Sequence, residues 1–162
     1  MADEVQQPKI NKQSKSQKRD YVSAVGRRKE AVARVRIYEH VKADAKWAQE
    51  PIKKGEILVN EKPIAAYFPS EIERKLYTEP LRLTNTHQNN YAITIRVTGG
   101  GHSGQLDATI AAIANALNKL DREKHRPILK KKGLLTRDSR IRQRRKVGMG
   151  GKSRRKLQSP KR

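Results

Sequence analysis

Cysteine is absent from the 162 residues, which excludes disulfides and thiolate metal sites and permits a reduced compartment. Histidine is scarce, and His40, His87, His102 and His125 are too scattered to suggest a metal centre. No apolar run approaches the length of a membrane span. The start, Met1-Ala2-Asp3-Glu4 followed by Gln, Lys and Ser, suits neither a secretory signal nor an Arg-rich transit peptide. The most telling absence is of acid: Ser139 to Arg162 holds no Asp or Glu but eleven Lys or Arg. Such a segment cannot bury enough apolar surface to offset its ordering entropy, so on its own it reads as a mobile arm that a polyanion would order.

What is present leans the same way. The chain has 38 basic and 16 acidic residues, a formal charge of +22. Residues 1–19 carry +3, residues 20–138 carry +8 and the remaining 24 residues carry +11, so half the charge occupies about a seventh of the length. This polarity points to nucleic acid. A membrane surface is disfavoured, because Ile141, Val147, Met149 and Leu157 form no amphipathic stripe in the arm. The apolar residues concentrate between about 21 and 136, enough for one core. The expected organisation is a flexible basic N-terminal arm (1–19), a globular α/β RNA-binding domain (20–136) with an extended loop or hairpin tip at 40–54 around an isolated Trp47, and an extended basic C-terminal tail (137–162).

Within the domain, Ala31, Ala33, Val35 and Ile37 alternate with Arg34 and Arg36, predicting a half-buried strand with a basic outer face. Tyr21 to Val25 reads as its partner strand, joined by a turn Gly26-Arg27-Arg28-Lys29-Glu30 whose three cations suggest phosphate contact. Glu56 to Asn60 reads as a short strand, and Pro63 opens a helical turn through Tyr67. Ser70 with Glu73 makes a capping box for a helix to about Thr78, with Pro80 just past its end and Leu81 and Leu83 docking the exit. Tyr91, Ile93, Ile95 and Val97 alternate with Ala92, Thr94 and Arg96 as the clearest strand. A helix then places Leu106, Ile110, Ile113, Leu117 and Leu120 on one core-facing stripe.

Between that strand and helix lies Gly99-Gly100-Gly101-His102-Ser103-Gly104-Gln105. It formally satisfies G-x-G-x-x-G, and Asp121 stands near where a ribose-binding acid would. A dinucleotide fold needs a second parallel strand next, and Arg122-Glu123-Lys124-His125-Arg126-Pro127 is not an apolar strand. No Gly-Lys-Ser/Thr ends the loop as a Walker motif would. What survives is that Gly99, Gly100, Gly101, His102, Ser103 and Gln105 open a helix whose amides can approach an anion, here an RNA phosphate. Ser103 and His102 lack an acid partner and no carboxylate pair stands out, so the chain reads as a non-enzyme without cofactor.

Four segments together, Y-V-S-A-V-G-R-R-K-E-A-V-A-R-V from Tyr21, G-G-G-H-S-G-Q from Gly99, T-R-D-S-R from Thr136 and the ending K-S-R-R-K-L-Q-S-P-K-R, resemble the bacterial-type small-subunit ribosomal protein nine family. The resemblance runs from about Tyr21 to Arg162. It implies a two-layer α/β (α+β) single domain with a left-handed βαβ crossover, similar to domain 2 of ribosomal protein five, where right-handed crossovers are the default. It also implies a cytoplasmic place in the ribosome, on small-subunit ribosomal RNA of the head beside neighbouring head proteins, with no homo-oligomer. The implied ribosomal RNA contacts are Arg27, Arg28, Lys29, Arg34, Arg36, the glycine-loop residues above, and Arg137, Arg140, Arg142, Arg144, Arg145, Lys146, Lys152, Arg154, Arg155 and Lys156. Lys161 and Arg162 would meet the anticodon stem-loop of peptidyl-site tRNA.

The chain departs from that family where Asn115 replaces a usual basic residue and where Gln158-Ser159-Pro160-Lys161-Arg162 lacks the common aromatic, so stacking there is not available. Pro160 fixes its own φ and extends Ser159. Two rival classes are a ribonuclease P protein-like cofactor and a histone-like DNA compactor. The first lacks support from any long arginine-rich helix, and the second leaves the ordered motifs unexplained.

Overall fold

The computed structural model describes residues 21–39, 46–47, 50–86 and 91–144. The expectations for the N-terminal arm, for most of the 40–54 loop, and for Arg145, Lys146, Lys152, Arg154, Arg155, Lys156, Lys161 and Arg162 lie outside these residues. In chain order the elements are β1 (Val22–Arg28), β2 (Ala31–Tyr38), β3 (Lys46–Trp47), β4 (Glu50–Pro51), β5 (Ile57–Val59), β6 (Lys62–Pro63), α1 (Ile64–Tyr67), α2 (Glu71–Leu83), β7 (Ala92–Thr98), α3 (His102–Leu120) and α4 (Arg122–Lys131). A mixed five-stranded sheet has the order β1-β2-β7-β5-β6, and β3 pairs with β4 as a separate two-stranded ribbon. β5 and β7 are parallel neighbours, so the segment between them, β6 with α1 and α2, forms a βαβ crossover. Among the described residues no helix is long and apolar enough to cross a membrane.

The alternation in β2 holds: Ala31, Ala33, Val35 and Ile37 are buried while Arg34 and Arg36 are exposed. In β7 it does not hold throughout, because Ala92 and Thr94 are buried too, Thr94 at 2 % exposure. The reason is position in the sheet. β7 lies between β2 and β5, and Thr94 faces Leu58, itself buried, across the parallel pair.

The turn expected over Gly26 to Glu30 is only Lys29-Glu30. Gly26, Arg27 and Arg28 continue β1, pairing with Ala33, Val32 and Ala31. Gly26 is there for close approach rather than for bending. A Cβ at this position would lie 2.1 Å from the Ala108 carbonyl oxygen and 2.4 Å from the Ala112 nitrogen, so the α3 backbone rests directly on the strand. The α3 stripe is correspondingly wider than predicted. Leu106, Ile113 and Leu117 are buried and Ile110 and Leu120 pack against the core, but Ala108, Ala112 and Ala116 are also fully buried. From the same helix, Asn115 donates to the Val25 carbonyl (3.1 Å) and Lys119 to the Ser23 carbonyl (2.8 Å).

Two helices differ from expectation. α2 passes through Pro80 to Leu83 rather than stopping near Thr78. The proline forfeits only one hydrogen bond, its ring is buried, and the Thr84 hydroxyl ties back to the Pro80 carbonyl at 2.9 Å. The capping box at Ser70 and Glu73 forms as predicted, with the Ser70 amide donating to the Glu73 carboxylate at 3.4 Å. Residues 122–131, read only as not a strand, are helix α4. Asp121 caps it by accepting from the Lys124 amide (3.2 Å), and those Lys124 contacts hold its carboxyl below the usual range. Between β5 and β6, Asn60 adopts φ 45° and its side-chain amide makes paired hydrogen bonds with Val97 N and O, at 2.9 and 3.0 Å, continuing the ladder where the backbone has turned away.

The root of the C-terminal tail is latched to this framework by Arg28, which points to the α3 side of the sheet. Its Nε donates to Asp107 Oδ2 (3.3 Å), and one terminal nitrogen contacts Asp138 Oδ1 (3.0 Å) and donates to the Arg140 carbonyl (3.2 Å). Arg140 returns onto Asp138 through its guanidinium and its own amide. Those bonds, the side-chain ones foremost, hold the Asp138 carboxyl well below the usual carboxylate range. A depressed folded-state pKa means that the stabilisation is complete above the ordinary carboxylate pKa and is lost only as pH falls through the lower value.

Gly26→Ala pushes α3 off β1 and costs about 3 kcal/mol or more, readable as a fall in the denaturation midpoint; an unchanged midpoint would contradict the close approach. Arg28→Ala frees the tail root, so trypsin cleaves after Arg140 roughly tenfold faster, equivalent to about 1.4 kcal/mol of local opening. Arg28→Lys, a point charge that cannot fork, rescues only partly.

Candidate nucleic-acid interface

The face of the sheet opposite α3 carries the concentrated charge. Strand register sets Val25, Arg34 and Arg96 in one row and Ser23, Arg36 and Thr94 in the next, with Arg27 two residues beyond Val25 on the same side. Arg27, Arg34, Arg36 and Arg96 are all exposed. No Asp or Glu occupies this face of β1, β2 or β7, and among the described residues none of these four makes an ion pair. Aromatic rings border it: Arg36 lies over the Tyr21 ring at 5.0 Å, and Tyr21 packs on Tyr38 at 5.6 Å.

Arg34 and Arg96 are direct cross-strand partners. Like charges set opposite each other destabilise a sheet. A polyanion laid across the face removes that repulsion and offers phosphates to planar, bidentate donors. Sequence reasoning missed Arg96 as a site residue, because it looked like one more polar residue in an alternating strand; only the register with β2 reveals the pairing. Tyr21 and Tyr38 were likewise missed.

The hairpin tip and the glycine loop, some 70 residues apart in sequence, meet in space. Gly99 and Gly100 adopt φ 71° and 66°, and a Cβ on them would fall 2.7 Å from the Glu30 carbonyl oxygen and 2.8 Å from Ala31. These two glycines are therefore required by the packing of the loop on the β1–β2 turn. Gly101, His102 and Ser103 remain exposed at the start of α3, as does Lys29 at the hairpin tip. Other loop side chains are spoken for within the protein. His102, expected to lack an acid partner, has one supplied by α2, 29 residues away: its Nε2 donates to Glu73 Oε1 (2.6 Å), while Gln105 donates to the Gly99 carbonyl (3.1 Å) and accepts from the Tyr67 hydroxyl (2.8 Å).

Arg28 is similarly engaged by the latch described above. That latch also brings Arg140 beside the hairpin, and Arg137, Arg142 and Arg144 are exposed along the same segment. A further basic surface, unforeseen because α4 was not recognised as a helix, displays Arg122, Lys124, Arg126, Lys130 and Lys131, while His125 and Leu129 turn into the core. Among the described residues no cluster of His, Asp or Glu is arranged to hold a metal ion.

Residues 26–162 match the family described as Ribosomal protein S9/S16. A protein of Leifsonia xyli subsp. xyli named small ribosomal subunit protein uS9 is 43 % identical over 127 residues, covering 78 % of this chain and 67 % of its own. Proteins of the same name from Azobacteroides pseudotrichonymphae and Rickettsia peacockii are 40 % and 45 % identical; the first covers 88 % of this chain and 99 % of its own, the second 86 % and 77 %. The basic sheet face, the glycine loop packed on its hairpin and the latched tail root thus sit in a chain that belongs to the S9 family of small ribosomal subunit proteins.

Proposed function

We propose that this protein is a structural constituent of the small ribosomal subunit that binds ribosomal RNA of the head and reaches peptidyl-site tRNA with its tail. The observation that carries the reading is the acid-free sheet face, where Arg34 and Arg96 stand opposite each other with no protein counter-charge among the described residues. Phosphate contacts from Arg27, Arg34, Arg36, Arg96 and Lys29 would position the domain, and recognition would rest on RNA shape more than on base sequence. Exposed amides of the glycine loop next to the hairpin tip add an anion-binding helix start. The loop's His102 and Gln105 side chains, being held internally, serve chiefly to shape that start.

The tail divides the work. From Arg137 through Lys156 it would run across ribosomal RNA, starting from a root fixed by Arg28. Lys161 and Arg162 would contact the anticodon stem-loop, with Pro160 pre-extending the last residues. The domain would sit among neighbouring head proteins in cytoplasmic ribosomes, and the crossover between β5 and β7 would take the left hand that the family resemblance implies.

Removing Ser159 to Arg162 leaves incorporation into the subunit intact and weakens tRNA binding at the peptidyl site of purified small subunits; unchanged tRNA affinity would refute the tail assignment. Replacing Arg34, Arg36 and Arg96 by Ala lowers affinity for head-domain RNA and flattens the dependence of log K on log salt by roughly 2 to 3, from about 0.7–0.9 for each phosphate that the protein ceases to neutralise. A slope identical to that of the unmodified chain would remove the sheet face from the interface.

A further inference from the structure

Where the edge strand β1, helix α3 and the root of the tail converge, they leave an open groove of about 230 Å³. Its floor is apolar: Val25, 45 % exposed, Ala111 of α3, and Leu135. Arg27 and Arg137 line it, and no acidic residue does. Asn115, one helical turn from Ala111, also lines the groove. Its Nδ2 is committed to the Val25 carbonyl, and its Oδ1 accepts no hydrogen bond among the described residues.

The volume lies below the range of about 300–1,000 Å³ usual for small-molecule sites and suits a single flat ring system. Apolar walls accept the face of a base, an amide oxygen accepts from a base N–H, and guanidinium groups hold flanking phosphates. Proteins read single-stranded or bulged RNA through this combination, with the base extruded from its stack. An apolar side chain from a protein neighbour would fill the floor but leave the two arginines uncompensated.

We propose that this groove receives one unpaired, extruded nucleotide of the RNA to which the domain binds. The proposal rests on the ribosomal RNA reading above and adds a point of selectivity to it. Arg27 and Arg137 then act as a pair across one nucleotide, joining a residue of the hairpin to one of the tail root.

The test uses the full chain and two RNA hairpins that differ only by one unpaired nucleotide in the stem, each of the four bases in turn, at about 0.3 M salt so that non-specific binding by the tail is screened. The expected result is roughly tenfold tighter binding of at least one bulged hairpin, a difference of about 1.4 kcal/mol. Ala111→Met fills the groove and abolishes that preference while affinity for the paired hairpin stays within about twofold; Ala111→Ser, which leaves it open, retains the preference. Should Ala111→Met unfold by circular dichroism, the exposed Arg137→Gln replaces it, and it must weaken the bulged hairpin more than the paired one. Equal affinity for both hairpins, or a preference that survives the filled groove, overturns the proposal. So does a filled-groove variant that keeps its RNA preference but fails to enter the subunit, since the groove would then seat a protein neighbour. Failure to bind any hairpin would sink the ribosomal RNA reading itself.

Discussion

The contact between Gly26 and the backbone of α3 is the constraint from which the rest of the domain follows. With no Cβ on the strand and only methyl groups on Ala108, Ala112 and Ala116, helix and sheet approach more closely than any larger side chain would permit. At that distance the helix can reach the strand's outward carbonyls through Asn115 and Lys119, and Asp107 can meet Arg28. The latch on the tail root and the groove beside it both depend on this separation. A sheet and helix spaced by leucines would keep the core and lose the site.

Much of this was legible in the sequence, and the exceptions share a cause. The alternating run from Ala31 to Ile37, the capping box at Ser70 and Glu73, and the leucine and isoleucine stripe of α3 are local signals, and they hold in the structure. Gly26 misled because a glycine in a turn and a glycine under a helix look identical in one dimension. Arg28 looked like one of three equivalent loop cations, whereas its partners lie 79 and 110 or more residues away. α4 escaped notice because it buries only His125 and Leu129, too thin a stripe to register as a period amid so much charge. Thr94 is buried by β5, and nothing near it in sequence announces that neighbour.

Charge in this molecule is sorted by geometry into cations that serve the fold and cations left for a ligand. Arg28, Lys119 and Arg140 are tied to carbonyls or carboxylates of the protein, whereas Arg27, Arg34 and Arg96 have no such counter-charge among the described residues. A basic residue count therefore overstates the interface, and position on the sheet decides which arginines are available. Arg96 opposite Arg34 is costly to the free protein, so a polyanion that neutralised this face would also stabilise the domain.

Both rims of the sheet are blunted among the described residues. On β1, the outward carbonyls of Ser23 and Val25 are occupied by side chains from α3; on the far rim, β6 is two residues long and ends in Pro63, which has no amide hydrogen. Among the described residues these contacts and the short, proline-ended strand interrupt the row of backbone groups that an incoming strand would pair with. Contacts through side chains and phosphates are thereby favoured over strand addition for neighbours in an assembly, and the same blunting disfavours pairing of free copies edge to edge.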